Sequence, residues 1–142
     1  MTLSKAEAFI DTDVIIRLLT GDDPVKQAAA LALFQHVEQG RVAIAAPVTV
    51  IADAVYVLHS ARLYHRSKEE VTALLLPLVM LPRFLLENRP AVIAALELYA
   101  QHPTLDFSDA LIAALMAQSG PPRVYSYDTD YDRLPGVTRI EP

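Results

Sequence analysis

The sequence contains no cysteine. That excludes a disulfide framework and a thiolate metal site. Positive charge is also scarce: 12 Lys and Arg stand against 17 Asp and Glu, a formal net charge of −5. A protein that held nucleic acid mainly by neutralising phosphates would need a basic surface. An enzyme that meets phosphates through a metal ion would not, so that class stays open. No apolar run approaches the length of a membrane span, and Met1 to Glu7 carries no apolar signal segment. Repeats, linkers and low-complexity tracts are missing too. These absences lead to the expectation of a cytoplasmic protein with no membrane partner.

What is present is a chain of 142 residues, 53% of them hydrophobic, with a mean hydropathy of +0.28. The length predicts one domain spanning 1–142, with a real core. The apolar excess predicts a buried partner surface, read as a homodimer.

The chain is organised around Ala8 to Thr20. Ala8-Phe9-Ile10 reads as a short buried strand, followed by a turn carrying Asp11 and Asp13. Val14, Ile15, Leu18 and Leu19 then fall at helical spacing. Asp22 or Asp23 caps a second helix that opens with Pro24 and runs to about Glu38, with Ala28, Leu31, Phe34 and Val37 inward. Arg41–Ala45 reads as a second buried strand, and a helix follows from Pro47 or Thr49 to about Leu63. Ser67 and Glu70 form a capping-box signature for a further helix, which Pro77 should kink or end. Phe84–Leu86 is a third strand. Pro90–Gln101 is a helix with Val92, Ile93, Leu96 and Tyr99 inward, and Phe107–Gln118 is another, capped near Asp106 or Ser108. Arg123–Tyr127 and Val137–Ile140 supply the last two strands. Alternating strands and helices predict an α/β fold: a central parallel sheet of about five strands with helices on both faces.

Such a fold can gather four acids. Asp11 follows the first strand, at the sheet edge where open α/β sheets place their ligands. Asp53 lies early on an apolar, inward-facing helix. Asp109 sits in the first turn of its helix, and Asp128 follows the fourth strand. Asp13, Asp106 and Asp130 are secondary candidates. Each acid also has a plain local reading. Asp106 or Asp109 can cap a helix, Asp128 and Asp130 suit a turn, and Asp11 suits a strand-end turn. As a set, however, they need something positive, because clustered carboxylates raise one another's pKa. All-oxygen ligands without a His or Cys cluster point to Mg²⁺ or Mn²⁺ rather than Zn²⁺.

Four stretches carry a family resemblance. They are Phe-Ile-Asp-Thr-Asp-Val-Ile-Ile-Arg-Leu-Leu-Thr-Gly-Asp-Asp-Pro, Ala-Asp-Ala-Val-Tyr-Val-Leu, Asp-Phe-Ser-Asp-Ala-Leu-Ile-Ala-Ala and Tyr-Ser-Tyr-Asp-Thr-Asp-Tyr-Asp-Arg-Leu-Pro-Gly-Val. In that order and spacing the chain resembles PIN-domain ribonucleases, in particular the VapC toxins of bacterial toxin–antitoxin pairs. The resemblance implies a single PIN-like domain and a metal-dependent endoribonuclease with its acids at Asp11, Asp53, Asp109 and Asp128. It also implies an RNA substrate, a homodimer and a small antitoxin that blocks the site. Three positions depart from the family pattern. Asp53 stands where Glu is usual, Asp13 where Asn is common, and Ser126 where Thr is usual.

On this reading Asp11, Asp109 and Asp128 hold one or two Mg²⁺ ions, and Asp53 binds directly or through water. Ser126 either meets the scissile phosphate, orients Asp128, or merely caps the strand end. His36, His59, His65 and His102 show no ligand spacing and are read as surface or packing residues. Arg17, Arg62, His65, Arg66 and Lys68 form the nearest thing to an RNA path, though a solvated face and helix ends are the favoured reading of them. The main alternative keeps the fold and loses the chemistry, leaving a catalytically weakened, dimeric PIN-like module. A haloacid-type phosphatase would need a lysine against the phosphate, and Lys5, Lys26 and Lys68 are poorly placed for that role.

Overall fold

The computed structural model describes residues 2–142, and the alternation read from the sequence is present in it. In chain order come β1 (Ala8–Phe9), α1 (Thr12–Leu19), α2 (Pro24–Glu38), β2 (Ile44–Ala46), α3 (Val48–His59), α4 (Lys68–Val79), β3 (Phe84–Leu86), α5 (Arg89–Gln101), α6 (Phe107–Ser119), β4 (Arg123–Tyr125) and β5 (Thr138–Ile140). Short 3-10 turns cover Leu3–Lys5 and Thr129–Arg133. The class is α/β with parallel strands throughout. None of the helices among the described residues is long and apolar enough to cross a membrane. The chain divides into two compact units, Met1–Arg89 and Pro90–Pro142.

The first unit holds a three-stranded sheet in the order β1-β2-β3. Ala8 pairs with Ile44, and Ile44 with Phe84. Every residue of β2 and β3 is buried. Successive side chains point to opposite faces of a strand, so both faces of these strands are covered. The covering helices follow from their caps. Asp23 accepts a hydrogen bond from Lys26 N at 3.1 Å, and Pro24 opens α2. Ser67 and Glu70 close a reciprocal capping box at the start of α4. Phe34 of α2 meets Phe84 of β3 edge to face, 5.9 Å between ring centres. Full burial of a side chain of that size contributes roughly 1.5–3 kcal/mol.

The second unit holds the parallel pair β4-β5, with Arg123 opposite Thr138. Val92, Leu96 and Tyr99 of α5 are buried, and Tyr99 packs edge to face on Phe107 of α6 at 6.5 Å.

Several expectations need correction. The five strands form ladders of three and two. β1 has only two residues and both are exposed, Phe9 to 63%. In α2 the buried residues are Ala30, Phe34 and Val37, whereas Ala28 and Leu31 are exposed. That helix is apolar on most sides, so periodicity alone does not choose its face, and the contact with Phe84 does. The second strand begins at Ile44, later than Arg41. Helix α3 stops at His59, short of Leu63. Ser60 leaves the helix with ψ 128°, and its carbonyl accepts from both Leu63 N and His65 N. Ala61, Arg62 and Leu63 carry no breaker signal, so propensity favoured continuation. Ile93 is half-buried, and β4 ends at Tyr125 where Tyr127 was expected. Pro77 lies inside α4, two residues before its end.

Candidate active site

In the first unit, β1 delivers the chain to Asp11, which caps α1. Its carboxylate accepts a hydrogen bond from Thr12 N at 2.7 Å. Asp53 lies on α3, on the side opposite the buried Val50, Ile51, Ala54, Val55 and Leu58. It is exposed, which corrects the inward placement expected for it. Asp11 and Asp53 line one cavity of about 550 Å³, together with Thr12, Asp13, Ile16, Arg17, Tyr56, Val57, Leu63 and Tyr64. The volume suits a small ligand. The Thr12 hydroxyl oxygen is buried and has no hydrogen-bond partner among the described residues.

Asp22 fixes one side of this cavity. It accepts from Tyr64 Oη at 2.6 Å and Thr20 Oγ1 at 2.9 Å, and it pairs with Arg17 at 3.2 Å. The Tyr64 hydrogen bond, followed by that of Thr20, holds the Asp22 carboxyl below its ordinary value. Through Tyr64, the turn after α3 is tied to the loop between α1 and α2. Arg17 is thereby engaged with Asp22, and Arg66 pairs with Glu70 at 3.4 Å.

In the second unit the acids are served by hydroxyls. Asp109 is half-buried in the first turn of α6, and its Oδ1 accepts from Tyr131 Oη at 3.1 Å. Asp106 occupies the N-cap position of α6 but makes no side-chain cap bond. Asp128 caps the Thr129–Arg133 turn, accepting from Asp130 N at 2.9 Å. Asp128 N in turn donates to Ser126 Oγ at 2.9 Å, and Thr104 Oγ1 donates to Asp130 at 2.9 Å. Ser126 therefore fixes the backbone that carries Asp128.

Burial pushes the Asp109 carboxyl above its ordinary value. The charges of Asp128, Asp106 and Asp130 add to that push, and the Tyr131 hydrogen bond opposes it. Tyr131 is itself 2% exposed. Burial first, then Asp109, hold its phenol far above the ordinary range, so it serves only as a hydrogen-bond donor.

Sequence reasoning missed Tyr131, Thr104, Thr12 and the Asp22–Tyr64 link. For Tyr131 a signal existed: an aromatic three residues after Asp128 inside an otherwise polar turn. Tyr64 and Asp22 are 42 positions apart in the chain, and no local pattern links them.

None of Asp11, Asp53, Asp109 and Asp128 forms an ion pair with Lys or Arg among the described residues. Nor do three or more His, Asp or Glu side chains there converge as a ready metal cage. The donor chemistry nevertheless fits a hard divalent cation. In the first unit it consists of the carboxylates of Asp11 and Asp53 with an orphaned hydroxyl beside Asp11, and in the second of carboxylates that repel one another around Asp109.

The family model for the PIN domain matches residues 8–137, which include all four acids and run through both units. The chain belongs to the PIN-domain family, a fold whose members are generally metal-dependent nucleases. No curated protein matches the chain.

Proposed function

We propose that the chain is a metal-dependent endoribonuclease of the VapC type, the toxin of a toxin–antitoxin pair. Residues 1–142 then act as one PIN-like domain in which Asp11, Asp53, Asp109 and Asp128 work as one set. The observation that carries this reading is the lack, among the described residues, of a cationic side chain on any of the four acids, in a chain whose family match spans them all. Asp109 is half-buried and crowded by the charges of Asp128, Asp106 and Asp130; a carboxylate so placed is costly without a positive partner, and Mg²⁺ or Mn²⁺ is the partner that suits oxygen donors.

When bound, such a cation supplies Lewis acidity, making an attacking water more acidic and offsetting charge on the phosphodiester. The chain's own residues do the positioning. Tyr131 holds Oδ1 of Asp109, which leaves Oδ2 for a cation. Ser126 and Asp130 N fix Asp128, and the cap bond from Thr12 N fixes Asp11. Asp13, Asp106 and Asp130 add negative charge around the set.

A homodimer and an antitoxin belong to the same proposal. Val25 and Leu31 of α2 are 81% and 47% exposed, and Met80 is 59% exposed, so apolar surface remains for a partner. A basic antitoxin side chain would neutralise the acids as a cation does. A cytoplasmic setting completes the reading. The second reading, a PIN-like dimeric module with weakened catalysis, is favoured by one observation. Asp53 is a methylene shorter than the Glu usual in the family, and it is exposed.

Total RNA incubated with the purified protein in Mg²⁺, Mn²⁺ or EDTA, beside Asp11→Asn and Asp109→Asn, tests the proposal. Metal-dependent cutting that both variants lose is expected. Cutting that survives in either variant removes that acid from the set. No cutting by folded, antitoxin-free protein favours the weakened module.

A further inference from the structure

The cavity of the first unit contains more than a pair of acids needs. Tyr56, 71% exposed, and Leu63, 57% exposed, both line it. Large apolar surface left in water beside a cleft marks a contact site. Tyr64 lines the same cavity and its hydroxyl is committed to Asp22, so that residue is held in place.

We propose that this cleft is a subsite for one unpaired nucleobase of single-stranded RNA, stacked on Tyr56. This rests on the nuclease reading and adds to it the side chain on which a substrate base stacks. The cavity, about 550 Å³, falls within the range of small-ligand sites, about 300–1,000 Å³. A protein partner would need a far larger contact area. Exposed aromatic rings beside polar groups are how proteins take splayed-out bases. A base within a duplex is already stacked on its neighbours and cannot enter.

The inference implies that Tyr56 contributes affinity for single strands through its ring rather than its hydroxyl. Fluorescence anisotropy would be measured on the full chain with a fluorescein-labelled short RNA of mixed sequence. The strand would be tested alone and annealed to its complement, in EDTA and in Ca²⁺, with its integrity checked on a gel. Circular dichroism would confirm that each variant is folded. Tyr56→Ala should weaken single-strand binding at least about fivefold. Tyr56→Phe should bind as the parent does, and the duplex should bind more weakly with no response to Tyr56→Ala. Equal single-strand binding by the parent and Tyr56→Ala would overturn the subsite, as would a duplex that binds as well as the single strand. So would a Tyr56→Ala variant that keeps its RNA affinity but loses a protein partner. Because binding is read without cleavage, the two proposals fail separately. A parent that cuts RNA, with Tyr56→Ala binding normally, loses only the subsite. A parent that never cuts, with Tyr56→Ala losing single-strand affinity, loses only the nuclease.

Discussion

Replacing Tyr131 by Phe removes one oxygen from a side chain that is 2% exposed and leaves the ring in place. The lost interaction is the hydrogen bond to Asp109 Oδ1 at 3.1 Å. Hydrogen bonds to charged groups contribute roughly 1.5–3 kcal/mol, and those between neutral groups roughly 0.5–1.5 kcal/mol. Asp109 is half-buried, so water replaces part of the lost bond, and the lower end of the range applies. The expected loss is about 1.5 kcal/mol near neutral pH, a fall in Tm of about 5 °C for a domain of this size. The pH dependence has a definite sign. Asp109 has a folded pKa above its unfolded value. Its contribution to stability is therefore full below the unfolded pKa and is lost as pH rises through the folded one. Removing the Tyr131 hydroxyl takes away the influence that lowers the folded pKa, so the variant's deficit is greatest when Asp109 is ionised. Urea unfolding of both proteins at about pH 7 and about pH 4 should show the deficit shrinking to about 0.5 kcal/mol in acid. A deficit of the same size at both pH values, or none near neutrality, would refute the assignment of Tyr131 as a donor to a charged Asp109.

Phe34→Ala should destabilise the first unit by about 3–5 kcal/mol, because it removes the ring packed on Phe84; urea titration reads this directly. Ser67→Ala should cost about 1 kcal/mol, read as a lower unfolding midpoint, since it opens the capping box of α4. The same change should raise the Glu70 carboxyl only part of the way toward its ordinary value, because the Ser67 backbone N–H, the larger influence that lowers it, stays while the hydroxyl is lost; carboxyl chemical shifts through an acid titration would show the change. Asp53→Glu, which restores the longer side chain usual in the family, should raise Mn²⁺ affinity and RNA cleavage together. An unchanged or reduced Mn²⁺ affinity by calorimetry would mean that Asp53 is not part of the cation set.

Much of the fold was legible because each element carries its own local signal. Asp23-Pro24 and Ser67–Glu70 mark helix starts through backbone hydrogen bonds that only nearby side chains can make. The order of strands and helices followed from them. The inward face of α2 was not legible, because Val25, Ala28, Ala29, Ala30, Leu31, Ala32 and Leu33 leave almost no polar side for periodicity to read. The end of α3 was hidden for a similar reason, since the chain turns on the backbone of Ser60 with helix formers on its far side. The candidate acids stood out because charge amid apolar residues is conspicuous in any sequence. Their supports did not. Thr104, Ser126 and Tyr131 act through hydroxyls, and a hydroxyl beside an acid looks the same in sequence whether or not it touches that acid.

The register of the first sheet has a consequence for how the protein is made. Ala8 must find Ile44, and Ile44 must find Phe84, so no two strands of that sheet are joined by a hairpin. Parallel pairing of this kind bears the entropy of closing long loops before it gains any contact. On a ribosome the sheet cannot be completed until Leu86 has emerged, and the segments with Asp11 and Asp53 wait as unfinished chain until then. Asp109 and Asp128 emerge later still, in a unit whose own strand pair needs Ile140. Synthesis thus delivers the four acids in two instalments, and under the proposed function nuclease activity arrives only once β5 has been translated.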